Sequence, residues 1–547
     1  MAVVRTLCGQ CAVGCGLRAV TGEGRAATLA GDPVHPANGG LLCAGSGAVA
    51  DMLPLDGRLL DPMIEGRRVG WDRAIGQVAR RLGDIIARHG PGSVAMHVSG
   101  GLLTEDYYVA NKLMKGFIGS AHIDTAWGDA DGMAAAYRAA LGEDVVPGAY
   151  EDIDKADLIL LIDASTGHRH RVLLDRIQAA RAARGARLVL LTSGEAADDI
   201  AVDVRLSVTP GSKAALLNGL LLHCHDSGAA SLEPCLSIAA DFWDRMRPRH
   251  DLWSVARRCG LPPGEVRGFY DLLSTAPRML TLYGPAPAAP QEAHMPAAIL
   301  NLHLAMGWIG KAGAAPIGIA AAPNAMGARE VGCQSDQLAA HRDFSPEALD
   351  STARFWGAAA MATQAGDEGA ALADAIGSGR IRALWMLGGL PPAAHPLRAL
   401  LARVPFTILT TPWAEPDSRD MVALPSPVWI EKDGTLTGAD RLISRQRRLF
   451  PLPGAARPDW WIVTQVARAM GWRDAFHYER PAEIYREHAR LTAYHNGGER
   501  VLNLKRHAPI SNPAYDELTP WRWGELPFDE GRFPTPDGRA RLVRSWD

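Results

Sequence analysis

The sequence contains no apolar run that is long enough to cross a bilayer. The longest runs, residues 158–162 (LILLI) and 188–192 (LVLLT), have the length of buried strands, whereas a membrane-spanning helix needs about 20 apolar residues. The first residues also lack the basic region, apolar stretch and twin arginine of export signals. These absences predict a cytoplasmic protein without membrane insertion.

An excess of charge of one sign is missing too. The 57 Lys and Arg residues nearly balance the 60 Asp and Glu residues, which leaves a net charge of −3. A protein whose main partner is nucleic acid or an anionic membrane carries a basic patch or stripe, so neither partner is predicted. Internal repeats and low-complexity tails are absent as well. With 547 residues, the chain exceeds the roughly 250–300 residues of a single core, so several domains are expected.

The pattern that recurs along the chain is a short apolar run, a Gly-rich turn and an amphipathic helix, which is typical of α/β layers. One helix is predicted over residues 72–90, and another has Thr104 as its N-cap and ends before Gly119. Because the apolar runs are almost uninterrupted, they favour parallel sheet covered on both faces, whose strand ends bind ligands. The predicted strands are residues 93–98, 157–163, 187–192, 278–284, 382–387 and 406–411.

Cysteine is scarce, at eight residues, and a cytoplasmic chain keeps its thiols reduced, which argues against disulfides. Three thiolates on one tight loop and a fourth from a distant segment can surround a cubane cluster. Four cysteines near the start have that arrangement, with the spacing C-x2-C-x3-C-x27-C: Cys8, Cys11, Cys15 and Cys43. The other four are interpreted as buried core thiols: Cys224, Cys235, Cys259 and Cys333.

The spacing of the first four cysteines favours a [4Fe-4S] cluster over two alternatives. Structural zinc sites more often pair two short knuckles with two ligands each, whereas the division here is three and one. A radical-SAM cluster needs the two short gaps in the opposite order. Zinc and unligated thiols stay open as alternatives.

The cysteine spacing, followed by RLLDPM at residues 58–63, resembles the front of the molybdopterin oxidoreductases of the dimethyl sulfoxide reductase type. Further stretches are similar to the catalytic subunit of cytoplasmic assimilatory nitrate reductases: residues 102–125, 142–163, 323–332, 431–447 and 456–471. The resemblance covers nearly the whole chain. It implies a multi-domain α/β scaffold with parallel-sheet, Rossmann-like units and a small N-terminal iron–sulfur domain.

The resemblance also implies cofactors and a division into domains. Members of this family bind one [4Fe-4S] cluster and a molybdenum ion held by two molybdopterin guanine dinucleotides, and they reduce nitrate to nitrite. The four clustered cysteines match the family's cluster ligands. The predicted division is an iron–sulfur domain (1–58), an α/β domain (59–130 and 333–475), a Rossmann-like domain (131–332) and an irregular wrapping tail (476–547). The family's C-terminal domain, which closes over the cofactor, is expected to be absent.

The sequence departs from the family at the molybdenum ligand. Counting from the IDT motif that ends at Thr125, the position of the family's metal-binding cysteine falls at Ala130, and residues 121–140 contain no cysteine. Alanine has no atom that can coordinate a metal. Its neighbours Asp129 and Asp131 are interpreted as solvated loop acids.

The pterin contacts depart in the same way. Ser165 stands where the family has an asparagine, and Leu390 replaces the asparagine of an Asn-Pro turn. Lys213 replaces an acid that pairs with guanine, so a cation would face the donors of the ring. The family's Asp-Pro-Arg turn, Gly-Asn-Gln motif and lysine after the fourth cysteine are replaced at residues 192–194, 284–291 and 43–47.

Some residues near the expected cofactor do match the family, although framework packing explains them equally well: Asn324, Arg329, Glu431 and Arg441. His168 and His170 follow a predicted strand and are interpreted as ordinary loop histidines, although His170 matches a family histidine. The HCH motif at residues 223–225 closes an apolar helix, where basic residues are expected without any metal.

Three functional hypotheses follow from these observations. The first is an electron-transfer or assembly subunit that keeps the cluster and has a degenerate molybdopterin site. The second is an active molybdenum-dependent nitrate reductase subunit that another chain completes. The third is a non-redox binding scaffold stabilised by zinc. Both redox hypotheses imply a partner such as a ferredoxin, a flavoprotein or another subunit.

Overall fold

The computed structural model describes residues 3–22, 25–46, 49, 54–125, 132–193, 200–232, 236–284, 292–358, 360–415 and 421–546. The strands are β1 (Val3–Leu7), β2 (Gly16–Thr21), β3 (Ala27–Gly31), β4 (Met63–Ile64), β5 (Arg67–Arg68), β6 (Val94–Val98), β7 (Ile123–Thr125), β8 (Leu158–Ile162), β9 (Arg187–Ser193), β10 (Val204–Val208), β11 (Leu236–Ser237), β12 (Met279–Tyr283), β13 (Pro316–Gly318), β14 (Ala383–Leu387), β15 (Phe406–Thr411), β16 (Val422–Pro425), β17 (Gly434–Thr437), β18 (Leu442–Gln446), β19 (Trp521–Arg522) and β20 (Ala540–Arg541).

The α-helices lie between these strands. They are α1 (Trp71–His89), α2 (Thr104–Asn111), α3 (Met133–Leu141), α4 (Ala164–Arg169), α5 (Arg171–Arg184), α6 (Lys213–Asp226), α7 (Phe242–His250), α8 (Leu252–Cys259), α9 (Pro263–Ser274), α10 (Met295–Ala305), α11 (Ala325–Glu330), α12 (Pro346–Trp356), α13 (Gly369–Gly377), α14 (Asp459–Ala469), α15 (Pro481–Ala493) and α16 (Asn512–Asp516). No helix in the described part of the chain is both long and apolar enough to cross a membrane.

Two sheets form the framework. One has the strand order β5-β4-β16-β15-β14-β6-β7. Its last five strands in this order, β16, β15, β14, β6 and β7, are parallel to one another. The other has the order β10-β9-β8-β12-β13 and is parallel throughout. Every residue of β6, β8, β12, β14 and β15 is buried, which explains why these strands are apolar without alternation. The predicted α/β fold with parallel sheets is therefore confirmed.

Smaller sheets contain strands from the two ends of the chain. Strands β1, β2 and β3 form an antiparallel sheet, and β17, β18 and β19 form another. In the last part of the chain, β20 pairs with β11, and helix α15 extends over 13 residues. Residues after 475 thus contribute strands to sheets that begin far upstream in the sequence.

The helical segment around residue 104 differs from its prediction at its start, whereas it ends before Gly119 as predicted. Thr104 is the first helical residue and not the N-cap, because the Asp106 carboxylate accepts the Leu103 amide at 2.9 Å. Beyond α2 the chain continues as a π-helix, Lys112–Ile118, which Gly119 ends with φ 86°. The ammonium of Lys115 donates to the carbonyl oxygens of residues 332, 334 and 337. This buried cation fixes the loop that follows α11.

Candidate functional site

The β1–β2 hairpin carries the first three cysteines of the predicted cluster site. The Cys8 amide donates to the Cys15 carbonyl at 2.9 Å, which closes the loop that contains Cys11. Gly14 adopts φ 68° in this loop, a conformation that favours glycine. Cys43 arrives from the segment after β3, and the structure brings all four cysteines to the wall of one cavity of about 310 Å³.

The environment of these thiols is suited to metal binding. Burial, together with the neighbouring Cys11 and Cys43, raises the pKa of Cys8 to about 12. Burial, with Cys43 beside it, also raises the pKa of Cys11 to about 11. Four neighbouring thiols cannot all ionise unless cations compensate their charge, and metal binding releases their protons. The donor set and the cavity therefore fit an iron–sulfur cluster.

The spacing of the sulfur atoms distinguishes a cluster from a single ion. A tetrahedral zinc site with Zn–S bonds of about 2.3 Å holds its sulfurs roughly 3.8 Å apart. No three of the four cysteine sulfurs, all of them described, lie within 4.8 Å of one another. This wider arrangement favours a polynuclear cluster over zinc.

The tight packing of the hairpin loop makes a testable prediction about Gly9. A methyl group on Gly9 would lie 2.2 Å from the Trp429 ring, whose nitrogen donates to the Leu7 carbonyl at 2.9 Å. Overpacking of this kind costs about 1–3 kcal/mol or displaces the backbone. We expect Gly9→Ala to lower the iron content of the purified protein. Gly76→Ala, where nothing lies within 4 Å of the added methyl group, should leave the iron content unchanged.

The wall opposite the cysteines comes from α4 and the start of α5, a contact that the sequence did not predict. His168, Arg169 and Arg171 are exposed there. His170 is buried, its Nδ1 lies 2.8 Å from the Thr166 carbonyl, and burial lowers its pKa to about 4. These residues belong to helical turns and not to the loop that was predicted. Only the position directly after β8 could have suggested that they face a ligand.

Lys213 begins α6 at the carboxyl edge of the five-stranded parallel sheet. Its side chain is 1% exposed, and its ammonium lies 2.9 Å from Asp163, which follows β8. Glu292, in the segment after β12, lies 3.6 Å from the same ammonium and accepts the Gly211 amide at 3.0 Å. A cation at a helix N-terminus is unfavourable by itself. The two carboxylates supply the compensating charge.

This ion-pair cluster occupies the strand ends at which an open parallel sheet binds ligands. The resemblance places the acceptor for a guanine ring at Lys213, yet the side chain there is a donor that is already paired within the protein. An ammonium group that faces the N–H groups of the ring gives them no acceptor. Each donor left without an acceptor costs about 1–3 kcal/mol of binding free energy. The described residues around Lys213 therefore do not fit guanine.

Two of the four residues matched to the family connect separate segments. Asn324 donates to the Leu102 carbonyl at 3.1 Å and accepts the Thr437 amide at 2.9 Å, so it joins the residues just before α2 to β17. Arg329 forms a buried ion pair with Asp144, with Nε 2.6 Å from one carboxylate oxygen. The arginine lowers the pKa of Asp144 against the opposing effect of burial.

The other two matched residues are equally engaged within the protein. Glu431 pairs with Arg58 at 2.7 Å and also with Arg25. Arg441 is fully buried, has φ 69°, and donates to the Trp523 carbonyl at 3.0 Å. Burial lowers the pKa of Arg441 to about 9. These contacts give all four residues a structural role, and direct contact with a cofactor stays a prediction.

Other predicted positions fall in several places. Ala130, Asp129, Asp131 and Cys235 lie outside the described residues, as do residues 194 and 285–291. Ser165 is exposed at the start of α4, and Leu390 is half-buried. Of the HCH motif, His223 lies 3.4 Å from Asp271, and His225 stacks on Trp243 with ring centroids 3.9 Å apart. The two histidines have different partners, as expected for a helix end.

Comparison with known proteins agrees with this architecture. The molybdopterin oxidoreductase family matches residues 58–469, and the molybdopterin oxidoreductase Fe4S4 domain matches residues 1–51. A nitrate reductase of Klebsiella oxytoca is 41% identical over 99% of this chain and 64% of its own length. A nitrate reductase of Shewanella frigidimarina is 34% identical over 99% of this chain and 61% of its own length. The chain thus spans less than two thirds of either relative.

A solved structure shows the same fold. Acetylene hydratase from Pelobacter acetylenicus superposes with a TM-score of 0.75 at 17% identity, covering 98% of this chain and 77% of that protein. The predicted resemblance is confirmed over both the cysteine hairpin and the two parallel sheets. The chain belongs to the molybdopterin oxidoreductase family and carries the Fe4S4 domain of that family at residues 1–51.

Proposed function

We propose that this chain is an electron-transfer subunit that binds a [4Fe-4S] cluster and lacks a working molybdopterin site. The observation that carries the proposal is the buried ion-pair cluster of Lys213, Asp163 and Glu292 at the carboxyl edge of the five-stranded sheet. It places a paired cation where the resemblance requires an acceptor for guanine. The site is filled by protein charges that pair with one another.

Opening this site for a dinucleotide would be costly. Moving Lys213 away would leave the carboxylates of Asp163 and Glu292 unpaired, and the Glu292 side chain is buried. Breaking a buried ion pair by removing one partner costs about 3–5 kcal/mol. A guanine that lacks its acceptor gains too little to offset this cost, so the closed arrangement is the stable one.

The front of the chain has what an electron carrier needs. Cys8, Cys11, Cys15 and Cys43 would hold the cluster, which supplies one-electron transfer when it is bound. Burial of Cys8 and Cys15 excludes water from one side. The neutral imidazole of His170 contributes a polar wall without charge.

The side chains at the mouth of the cysteine cavity support a proposal about the class of partner. His168, Arg169 and Arg171 are exposed there and Asp175 pairs with Arg171 at 2.9 Å, so basic side chains outnumber the acid at this rim although the whole chain is slightly acidic. Complementary charge accelerates the encounter of redox partners. We propose an acidic ferredoxin or flavoprotein, or an acidic face of another subunit, as the partner, and a cytoplasmic location for the complex.

The test is a metal and nucleotide analysis of the full chain purified without oxygen. We expect about four irons per chain, molybdenum far below one per chain, and no guanine nucleotide released by acid. The control is Lys213→Asp, which restores the family's acid and should not by itself restore molybdenum. Stoichiometric molybdenum with guanine nucleotide in the unmodified chain would overturn the proposal.

The second candidate is the catalytic subunit of a molybdenum-dependent nitrate reductase. Its support is the 41% identity to a nitrate reductase and the presence of Asn324 and Arg329 at positions that match the family. The same analysis separates the candidates, because this one requires molybdenum and guanine nucleotide together. A zinc-stabilised scaffold would instead contain zinc bound by sulfur and no iron.

A further inference from the structure

A cluster of metal-binding side chains lies on, or just after, three neighbouring parallel strands of the seven-stranded sheet. His97 is the penultimate residue of β6, Asp124 is the central residue of β7, and His395 follows β14. The sheet order β14-β6-β7 makes these strands adjacent, and the ladder pairs His97 directly with Asp124. Side chains paired in a parallel ladder point to the same face of the sheet.

The distances between the three side chains are short. Nδ1 of His97 lies 2.5 Å from Oδ2 of Asp124, and Nε2 of His395 lies 3.4 Å from the same oxygen. All three ligand atoms lie within 4.8 Å of one another. The second oxygen of Asp124 accepts the Gly369 amide at 2.8 Å, which orients the carboxylate. In metal sites such outer contacts hold the ligands in place.

Two imidazoles and one carboxylate are a donor set for zinc and for related divalent ions. Zinc bonds of 2.0–2.1 Å in a tetrahedron place the ligand atoms about 3.3–3.4 Å apart. The contact between His395 and Asp124 already has this length. The hydrogen bond between His97 and Asp124 would lengthen by ~0.8 Å when an ion enters. The carboxylate offsets one of the two positive charges.

His395 is the ligand that can admit an ion. Its side chain is 14% exposed, whereas His97 and Asp124 are buried. An imidazole binds a metal through a ring nitrogen of its neutral form. Nδ1 of His395 accepts the Leu397 amide at 3.4 Å, a contact long enough to be lost at little cost when Nε2 coordinates.

We propose that His97, Asp124 and His395 form a zinc-binding site, with water completing the coordination. The site belongs to the seven-stranded sheet and shares no residue with the cysteine cavity. It is therefore independent of the proposed electron-transfer function, and either can fail without the other.

The test uses the full chain with its iron–sulfur cluster in place, so that the cysteines are not available to zinc. After incubation with one equivalent of zinc and gel filtration, we expect one zinc per chain. X-ray absorption at the zinc edge should show nitrogen and oxygen neighbours at about 2.0–2.1 Å and no sulfur at about 2.3 Å. Mutating a residue that only orients a metal ligand typically costs about 10–100-fold in affinity. His395→Ala removes a ligand itself, so zinc binding should weaken by about 100-fold or more.

Two further variants make the test specific. His122→Gln alters a neighbouring histidine that accepts the Asp367 amide at 2.8 Å and is not part of the trio, so zinc binding should be unchanged. His395→Asp keeps a ligand oxygen and should retain zinc even if the alanine variant folds poorly. Absence of bound zinc in the unmodified chain, a sulfur shell, or full binding in a folded His395→Ala variant would overturn the proposal.

Discussion

Replacing Cys11 with Ser is expected to remove the iron–sulfur cluster from this protein. Cys11 lies at the centre of the hairpin loop that also contains Cys8 and Cys15, so its loss leaves one of the four corners of the cluster without a thiolate ligand. A serine hydroxyl ionises far less readily than a thiol and is a poor ligand for iron. We expect the visible absorption of the cluster to disappear and the iron content to fall from about four per chain to a small fraction of one.

A buried cysteine outside the cavity provides the control for this change. The sulfur of Cys259 lies 3.8 Å from the Ser212 carbonyl, and a serine at position 259 can keep that contact. Cys259→Ser should therefore retain the full iron content. Equal loss of iron from both variants would show that folding, and not ligation, is the cause. Full iron in Cys11→Ser would contradict the assignment of this ligand.

The raised pKa values of the cysteines also predict how the cluster depends on pH. Burial raises the pKa of both Cys8 and Cys11, to about 12 and about 11, so protons compete strongly with iron for these sulfurs. Because binding releases protons, the cluster should be lost more readily as pH falls. Iron release measured between neutral and mildly acidic pH should accelerate steadily in that direction.

The second large effect is expected for Lys213→Met, which keeps the side-chain volume and removes the charge. Asp163 and Glu292 would then face each other without the ammonium between them. Breaking a buried ion pair from one side costs about 3–5 kcal/mol, so the midpoint of urea unfolding should move to a markedly lower concentration. This outcome would establish that Lys213 holds the sheet edge closed.

The double variant Lys213→Met/Glu292→Gln is the matched control. It removes the charge of one of the two carboxylates that Lys213→Met leaves unpaired. It should therefore recover part of the lost stability, because the effects of mutating contacting residues are not additive. If Lys213→Met were as stable as the unmodified chain, the ion-pair cluster would not fill the site in the way proposed.

Local patterns in the sequence were enough to predict the fold class. The buried strands are apolar without alternation because helices cover both faces of a parallel sheet, and such runs are visible in the sequence itself. Helix α1 also followed from periodicity, within one residue at each end. The N-cap of α2 did not, because Asp106 supplies the capping contact from within the helix and leaves Thr104 buried.

The sequence by itself also predicted the four cysteines: Cys8, Cys11 and Cys15 from their spacing along a hairpin, which is a local property, and Cys43 as the ligand from a distant segment. Only the tertiary structure decided what lies beside them. Residues 168–171 face the cysteine cavity from a segment more than 120 positions away, and Lys213 meets Asp163 and Glu292 only because β8, β10 and β12 share one sheet edge. The His97, Asp124 and His395 trio arose in the same way, since no spacing relates residues that meet through strand order. Charges and ligands from distant segments become neighbours only when the chain has folded.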